Sequence, residues 1–177
     1  MITSMSDLYW QSLLLGAGAH TPWLRDHGSL TRRIQKRCSR FGVNPIRSEI
    51  APVEQDERVL LGATRAYTRE VFLLADDRPV VFAHSVVASH HLRGAWQPVQ
   101  HLGSRPLGAL LFAHPLVQRA PLRFRALDRR SELYRRAADA LFQPPARLWA
   151  RRSEFRLHGA PLLVTEVFLP DILNLPK

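Results

Sequence analysis

The stretch Leu162 to Leu169 reads LLVTEVFL and constrains the fold more than any other part of the chain. In an extended strand, successive side chains point to opposite faces. Leu162, Val164, Glu166 and Phe168 then share one face, and Leu163, Thr165, Val167 and Leu169 share the other. Neither face is polar, so the segment reads as a central strand covered on both sides. One residue resists that placement. A carboxylate buried without a partner costs several kcal/mol or takes up a proton, so Glu166 needs solvent, an ion-pair partner or a ligand.

Thr68 to Leu74 poses the same problem. Arg69 shares a face with Tyr67, Val71 and Leu73, while Glu70 falls opposite with Thr68, Phe72 and Leu74. One explanation is structural: an ion pair such as Arg69 with Glu166, or an edge strand with solvated charges. The other is functional: a dry pocket where arginine clamps a carboxylate and glutamate binds a hydroxyl or moves its proton. The planar guanidinium pairs with a carboxylate through two parallel hydrogen bonds. Desolvation brings a glutamate towards the working range of a general acid or base. Pattern alone leaves both explanations open.

The rest of the chain supplies the frame. Tyr9 to Leu15 is expected to form a short helix. Thr21-Pro22-Trp23 starts another, with Thr21 as N-cap, and Ser29 caps a third over Leu30 to Arg40, closed by Gly42. From Val43 to Val53 the chain reads as extended. Thr64–Leu74 and Val80–Val87 flank Ala75-Asp76-Asp77-Arg78-Pro79 as a hairpin, and Arg147–Leu157 and Leu162–Leu169 flank His158-Gly159-Ala160-Pro161 as a second. Between them, Pro98 to Ala113 reads as helix restarted at Gly103-Ser104, Val117 to Leu127 as strand and Glu132 to Phe142 as helix. Hairpin-joined strands imply an antiparallel sheet, and helices covering it give the α+β class. With no repeat or linker, residues 1–177 are expected to form one domain.

The first turn of a helix presents backbone N–H groups without intrahelical partners, which suit an anion. Two such starts are Gly28-Ser29-Leu30-Thr31 and Ser104-Arg105-Pro106-Leu107-Gly108. The formal net charge of +10 comes almost wholly from arginine, since Lys36 and Lys177 are the only lysines. That charge admits nucleic acid, an anionic membrane or an anionic small molecule as partner. It is dispersed, however, and lacks the contiguous basic face with interleaved aromatics that nucleic-acid binding requires. The Arg123–Arg136 cluster reads as a solvated face. Cys38 is the only cysteine, which rules out an intramolecular disulfide and a cysteine-built metal site. Leu13 to Ala19 lacks the preceding basic residue of a signal peptide, and no apolar run is long enough for a membrane span. A cytoplasmic protein is expected and, with no heptad or apolar patch to encode assembly, a monomer.

Four segments together resemble the chorismate pyruvate-lyase family of ubiquinone biosynthesis: WLRDHGSLTRR (Trp23–Arg33), TREVFLLADDRP (Thr68–Pro79), LGSRPLGALLF (Leu102–Phe112) and RRSEFRLHGAPLLVTEVFLP (Arg151–Pro170). They come in the family's order at compatible spacing. The resemblance implies a single antiparallel sheet with helical flaps over a buried ligand, and conversion of chorismate, a dianion, to 4-hydroxybenzoate and pyruvate without metal or organic cofactor. It places the family's carboxylate-clamping arginine at Arg69, its hydroxyl-facing glutamate at Glu166, and its two flap contacts at Leu30 and Leu107. The family often has methionine at the position of Leu30 and arginine at that of His84, so His84 is expected to weaken the positive field near Glu166. Two other classes stay in view. One is a ligand-sensing domain of a transcription regulator, which shares this fold but is normally preceded by a DNA-binding segment, whereas only some twenty residues precede Trp23 here. The other is a nucleic-acid binder.

Overall fold

The two hairpins foreseen in the sequence are the spine of the structure, and each turns on only two residues. In the computed structural model, which describes residues 10–176, the strands are β1 (Phe41–Pro52), β2 (Arg65–Ala75), β3 (Arg78–Ala88), β4 (Gln118–Arg119), β5 (Arg123–Leu127), β6 (Leu148–Leu157) and β7 (Ala160–Phe168). Asp76 and Asp77 link β2 to β3 with φ of 48° and 65°, and His158 and Gly159 link β6 to β7 with 51° and 79°. Two consecutive positive φ values match the right-handed twist of the flanking strands, and Asp and Gly are residues that accept them. All pairings are antiparallel, in the order β1-β2-β3-β7-β6-β4, with β5 also on β6. β7 is therefore central, as its two apolar faces require. β1 lies at an edge, where Pro45 removes no needed donor and the register shifts between Pro45 and Arg47. The fold class is α+β, as the sequence indicates.

Among the described residues five short α-helices cover the sheet: α1 (Thr21–Leu24), α2 (Leu30–Gln35), α3 (Gln55–Leu61), α4 (Leu107–Ala113) and α5 (Glu132–Ala138). On one face, α1 and α2 pack Trp23, Leu24, Leu30 and Ile34 against Val71, Leu73 and Phe168. Beside them, α4 and the 3-10 turns Ser89–Arg93 and Gln97–His101 pack Leu92, Val99, Leu107 and Leu111 on Leu162 and Val164. On the other face, α5 sets Leu133, Tyr134 and Ala137 on Phe72, Phe82 and Val167, and α3 sets Leu61 near Val86 and Leu163.

Several local expectations change. Tyr9 lies outside the described residues, and residues 10–15 form no helix: Gln11 bridges Phe124 instead. The N-cap of α1 is His20, with Thr21 already helical. Ser29 does cap α2, accepting from the Arg32 amide, but the helix stops at Gln35, and Gly42, expected to close it, lies in β1. Pro98 to Ala113 divides into a 3-10 turn and α4. Val117 to Leu127 breaks at Ala120–Leu122, around Pro121, into β4 and β5. The sequence reading missed α3, whose seven residues are too polar to show a helical period; Gly62, left-handed at its C-terminus, was the available signal.

The face covered by α3 and α5 conceals a charged network. Between Glu70 (Oε1, 2.8 Å from Nδ1) and Glu57 (Oε1, 3.0 Å from Nε2), the buried His84 ring is held at both nitrogens. Arg152 completes the group, donating to Thr165 Oγ1 at 2.9 Å, Asp56 Oδ2 at 2.6 Å and Glu57 Oε1 at 3.3 Å. Arg136, from the cluster expected to be solvated, reaches inward to 3.3 Å from Glu70. Burial alone would lower the pKa of His84, but the charge and hydrogen bonds of Glu57 and Glu70 push it up to about 9. Burial would likewise raise Glu57, but His84 and Arg152 bring it down to about 2. His84 is thus a cation, and it lies on the opposite face from Glu166, whose neighbour across the strand pair is Ala83. The expected weakening of the field at Glu166 by His84 does not arise.

Stability linked to His84 is complete below its unfolded value of 6.5 and is lost as pH rises through about 9. That linked to Glu57 is complete above 4.5 and is lost as pH falls towards 2. Urea midpoints measured against pH should be highest between those limits. His84→Leu should leave two buried carboxylates facing each other and lower stability by about 3–5 kcal/mol at neutral pH.

Candidate anion-binding pocket

The opposite face of the same strands carries the sequence's other misplaced charges. Alternation sends Arg69, Val71 and Leu73 of β2, Ala83 and Ser85 of β3, Val164 and Glu166 of β7, and Arg151 and Ser153 of β6 to this side. There they floor a pocket roofed by Leu30 and Thr31 of α2 and by Leu107, Gly108 and Leu111 of α4. It encloses about 570 Å³ of empty space, mouth included. The structure brings all four residues singled out in the sequence, Leu30, Arg69, Leu107 and Glu166, to this one pocket.

Arg69 and Glu166 do not pair with each other. Arg69 is 3% exposed, and its Nη2 donates to the carbonyls of Gly103 and Arg105 at 2.9 and 3.0 Å. The loop before α4 is thereby tied to the sheet, while Nε and Nη1 have no hydrogen-bond partner among the described residues. Burial pushes its guanidinium below the ordinary arginine value, although arginine stays charged in proteins. Glu166 pairs across the β6–β7 ladder with Arg151, whose Nε donates to Oε2 at 2.5 Å. The Nη1 of Arg151 reaches the carbonyls of Trp23 at 3.2 Å and Asp26 at 2.5 Å, holding the chain between α1 and α2. A third arginine, Arg119 of β4, also lines the pocket, stacked near Phe155 and Phe112.

Sequence reasoning missed Arg119 and Arg151. Arg151 was lost in the Arg147–Arg156 run, where alternation along β6 distinguishes the pocket side (Arg151, Ser153, Phe155) from the network side (Arg152). Arg119 had no signal, because a two-residue strand has no period to read. The pocket's charges are three guanidinium groups against one carboxylate, a surplus of two positive charges enclosed by apolar walls. Among the described residues no group of three or more His, Cys, Asp or Glu side chains could hold a metal ion.

The roof meets at Gly108. A Cβ there would stand 3.4 Å from Thr31 Oγ1 and 3.6 Å from Ser29 Oγ, so the gap between α4 and the start of α2 admits a methyl in ordinary contact but no larger side chain. Gly108→Val should hold α2 and α4 apart. Hydrogen exchange should then quicken at amides of both helices, with the β3–β7 amides unchanged.

A family model described as Chorismate lyase matches residues 8–175. A probable chorismate pyruvate-lyase of Aromatoleum aromaticum is 54% identical over 160 residues, covering 88% of this chain and 86% of the relative. Another, from Nitrosomonas europaea, is 46% identical over 177 residues, covering 98% and 93%. Among solved structures, the ligand-binding domain of a putative GntR-family transcriptional regulator from Bordetella bronchiseptica superposes with a TM-score of 0.54 at 18% identity, over 75% of this chain and 86% of that one. A GntR-family transcriptional regulator from Bacillus cereus gives 0.52 at 12%, over 75% and 94%. These two likenesses concern the fold; the extent of the sequence match settles the family, and the chain belongs to the chorismate lyases.

Proposed function

We propose that this protein is a chorismate pyruvate-lyase, converting chorismate to 4-hydroxybenzoate, the aromatic precursor of ubiquinone, and pyruvate. The observation that carries this reading is the pocket's surplus of two positive charges, set between the sheet and two short helices. Chorismate brings two carboxylates to match it. In the reaction the C3–O ether bond breaks and its electrons leave with the enolpyruvyl oxygen. The C4–H electrons form the new ring double bond, and the proton ends on the three-carbon fragment as pyruvate. Aromatisation makes the products strongly favoured, so the protein has mainly to hold a reactive conformer and exclude water.

In this scheme Arg69 clamps the ring carboxylate with its free Nε and Nη1. The amides of Leu30 and Leu107, each the first residue of its helix, contact the ligand from the flaps. A leucine in place of methionine at residue 30 changes little where the contact is through the backbone. Glu166, steadied by Arg151, faces the 4-hydroxyl, as proton acceptor or as an orienting group. The protein would work as a cytoplasmic monomer with no metal or organic cofactor and no nucleic-acid partner; among the described residues no helix is long and apolar enough to cross a membrane. The likeness to regulator domains supports one alternative, a sensor of the same fold that binds such a ligand without turning it over.

Adding chorismate to the purified protein should raise the ultraviolet absorbance of 4-hydroxybenzoate. Ligand binding without turnover would favour the sensor. Arg69→Gln should lower kcat/KM by roughly 10- to 150-fold for each charged hydrogen bond lost. If Glu166 moves the proton, Glu166→Gln should lower kcat by about 10²- to 10⁴-fold; near-normal turnover would leave it only an orienting role.

A further inference from the structure

Of the three guanidinium groups in the pocket, the lyase reading so far gives a ligand contact to one. Arg151 is committed to Glu166 and to the Trp23 and Asp26 carbonyls. Arg119 is held differently. Its Nε and Nη2 donate to Ser153 Oγ at 3.1 and 2.8 Å, and its Nη1 donates to the His27 carbonyl at 2.8 Å. The Phe155 and Phe112 rings lie 5.3 and 5.6 Å from its Cζ. Every one of these hydrogen-bond partners is an uncharged oxygen. Of the five N–H donors an arginine carries, two remain. Burial, and then the nearby charge of Arg151, push this guanidinium below its ordinary value, and the Glu166 and Asp26 carboxylates offset that only in part.

Placement matters as much as charge. Arg69 stands on β2 and Arg119 on β4, separated in the sheet by β3, β7 and β6. Four strand spacings put the two backbones roughly 19 Å apart, yet both side chains line the same pocket. They therefore reach inward from opposite walls, each oriented by fixed oxygens. A ligand with a carboxylate at each end satisfies both, whereas one with a single carboxylate satisfies only one.

We propose that Arg119, oriented by Ser153 and the His27 carbonyl, receives the carboxylate of the enolpyruvyl group, a contact that the dianionic substrate makes and the monocarboxylate product does not. The assignment rests on the lyase reading. It gives the two arginines separate duties: Arg69 holds what becomes 4-hydroxybenzoate, and Arg119 holds what leaves as pyruvate.

Steady-state kinetics with chorismate, paired with calorimetric titration of 4-hydroxybenzoate, test this. Arg119→Gln should lower kcat/KM for chorismate roughly 10- to 100-fold, mainly through KM, while the Kd for 4-hydroxybenzoate shifts less than about threefold. Arg119→Lys should recover part of the loss. Ser153→Ala, which frees the guanidinium to wander, should give a smaller loss of the same kind. A merely structural role would weaken both ligands together and lower the thermal midpoint, and that result overturns the proposal. So does unchanged chorismate kinetics in Arg119→Gln beside an active wild type. A wild type that forms no 4-hydroxybenzoate overturns the lyase reading itself, and the assignment with it.

Discussion

Arg151 joins the two halves of the pocket. Its Nε holds the one carboxylate on the floor, and its Nη1 holds two carbonyls of the segment leading from α1 to α2. A guanidinium this deeply buried is tolerable only because its charge meets Glu166 and its other donors meet carbonyl oxygens. Floor and roof are thus bound through one side chain, and the position of Leu30 over the site is set by the position of Glu166 in it. Arg69 does the same for the second flap through the Gly103 and Arg105 carbonyls. Each flap is anchored to the sheet by an arginine of the pocket floor.

Charge is divided between the faces by alternation alone. Arg151 and Arg152 are consecutive, yet one enters the pocket and the other joins the Asp56–Glu57–His84 network behind the sheet. Glu70 and Arg69 part in the same way. Behind the sheet the acids Asp56, Glu57 and Glu70 meet His84, Arg136 and Arg152, so charge is largely neutralised there. In front of it, three arginines meet a single glutamate. The back face balances its own charge; the front face does not, and that imbalance is what the proposed dianionic ligand would answer.

Much of this was legible in the chain. Charges breaking an apolar alternation marked Arg69 and Glu166, and helix-start chemistry marked Leu30 and Leu107. What stayed hidden was register. A turn spread over His158 to Pro161 leaves the pairing of β6 with β7 undefined, whereas a two-residue turn at His158-Gly159 forces Arg151 opposite Glu166. That turn type replaces the Arg69–Glu166 pair, one of the explanations the pattern left open, with the Arg151–Glu166 pair that the structure contains. The misplacement of His84 had the same root: Glu70 lies across from it, and Glu70 had already been assigned to the face away from Arg69. Arg119 is another matter, because only the whole folded sheet brings β4 to the pocket.

The pairing of β3 with β7 has a kinetic consequence. The β2–β3 and β6–β7 hairpins join neighbours in sequence, so each can close rapidly. Joining β3 to β7 brings residues 81–87 to residues 162–168, across everything that builds α4, β4, β5 and α5. Closing so long a loop comes late, after local structure. Arg69 rides on the first hairpin, and Glu166 and Arg151 on the second, so the pocket does not exist until that seam zips. Ligand competence therefore cannot precede the one pairing that joins the two hairpins.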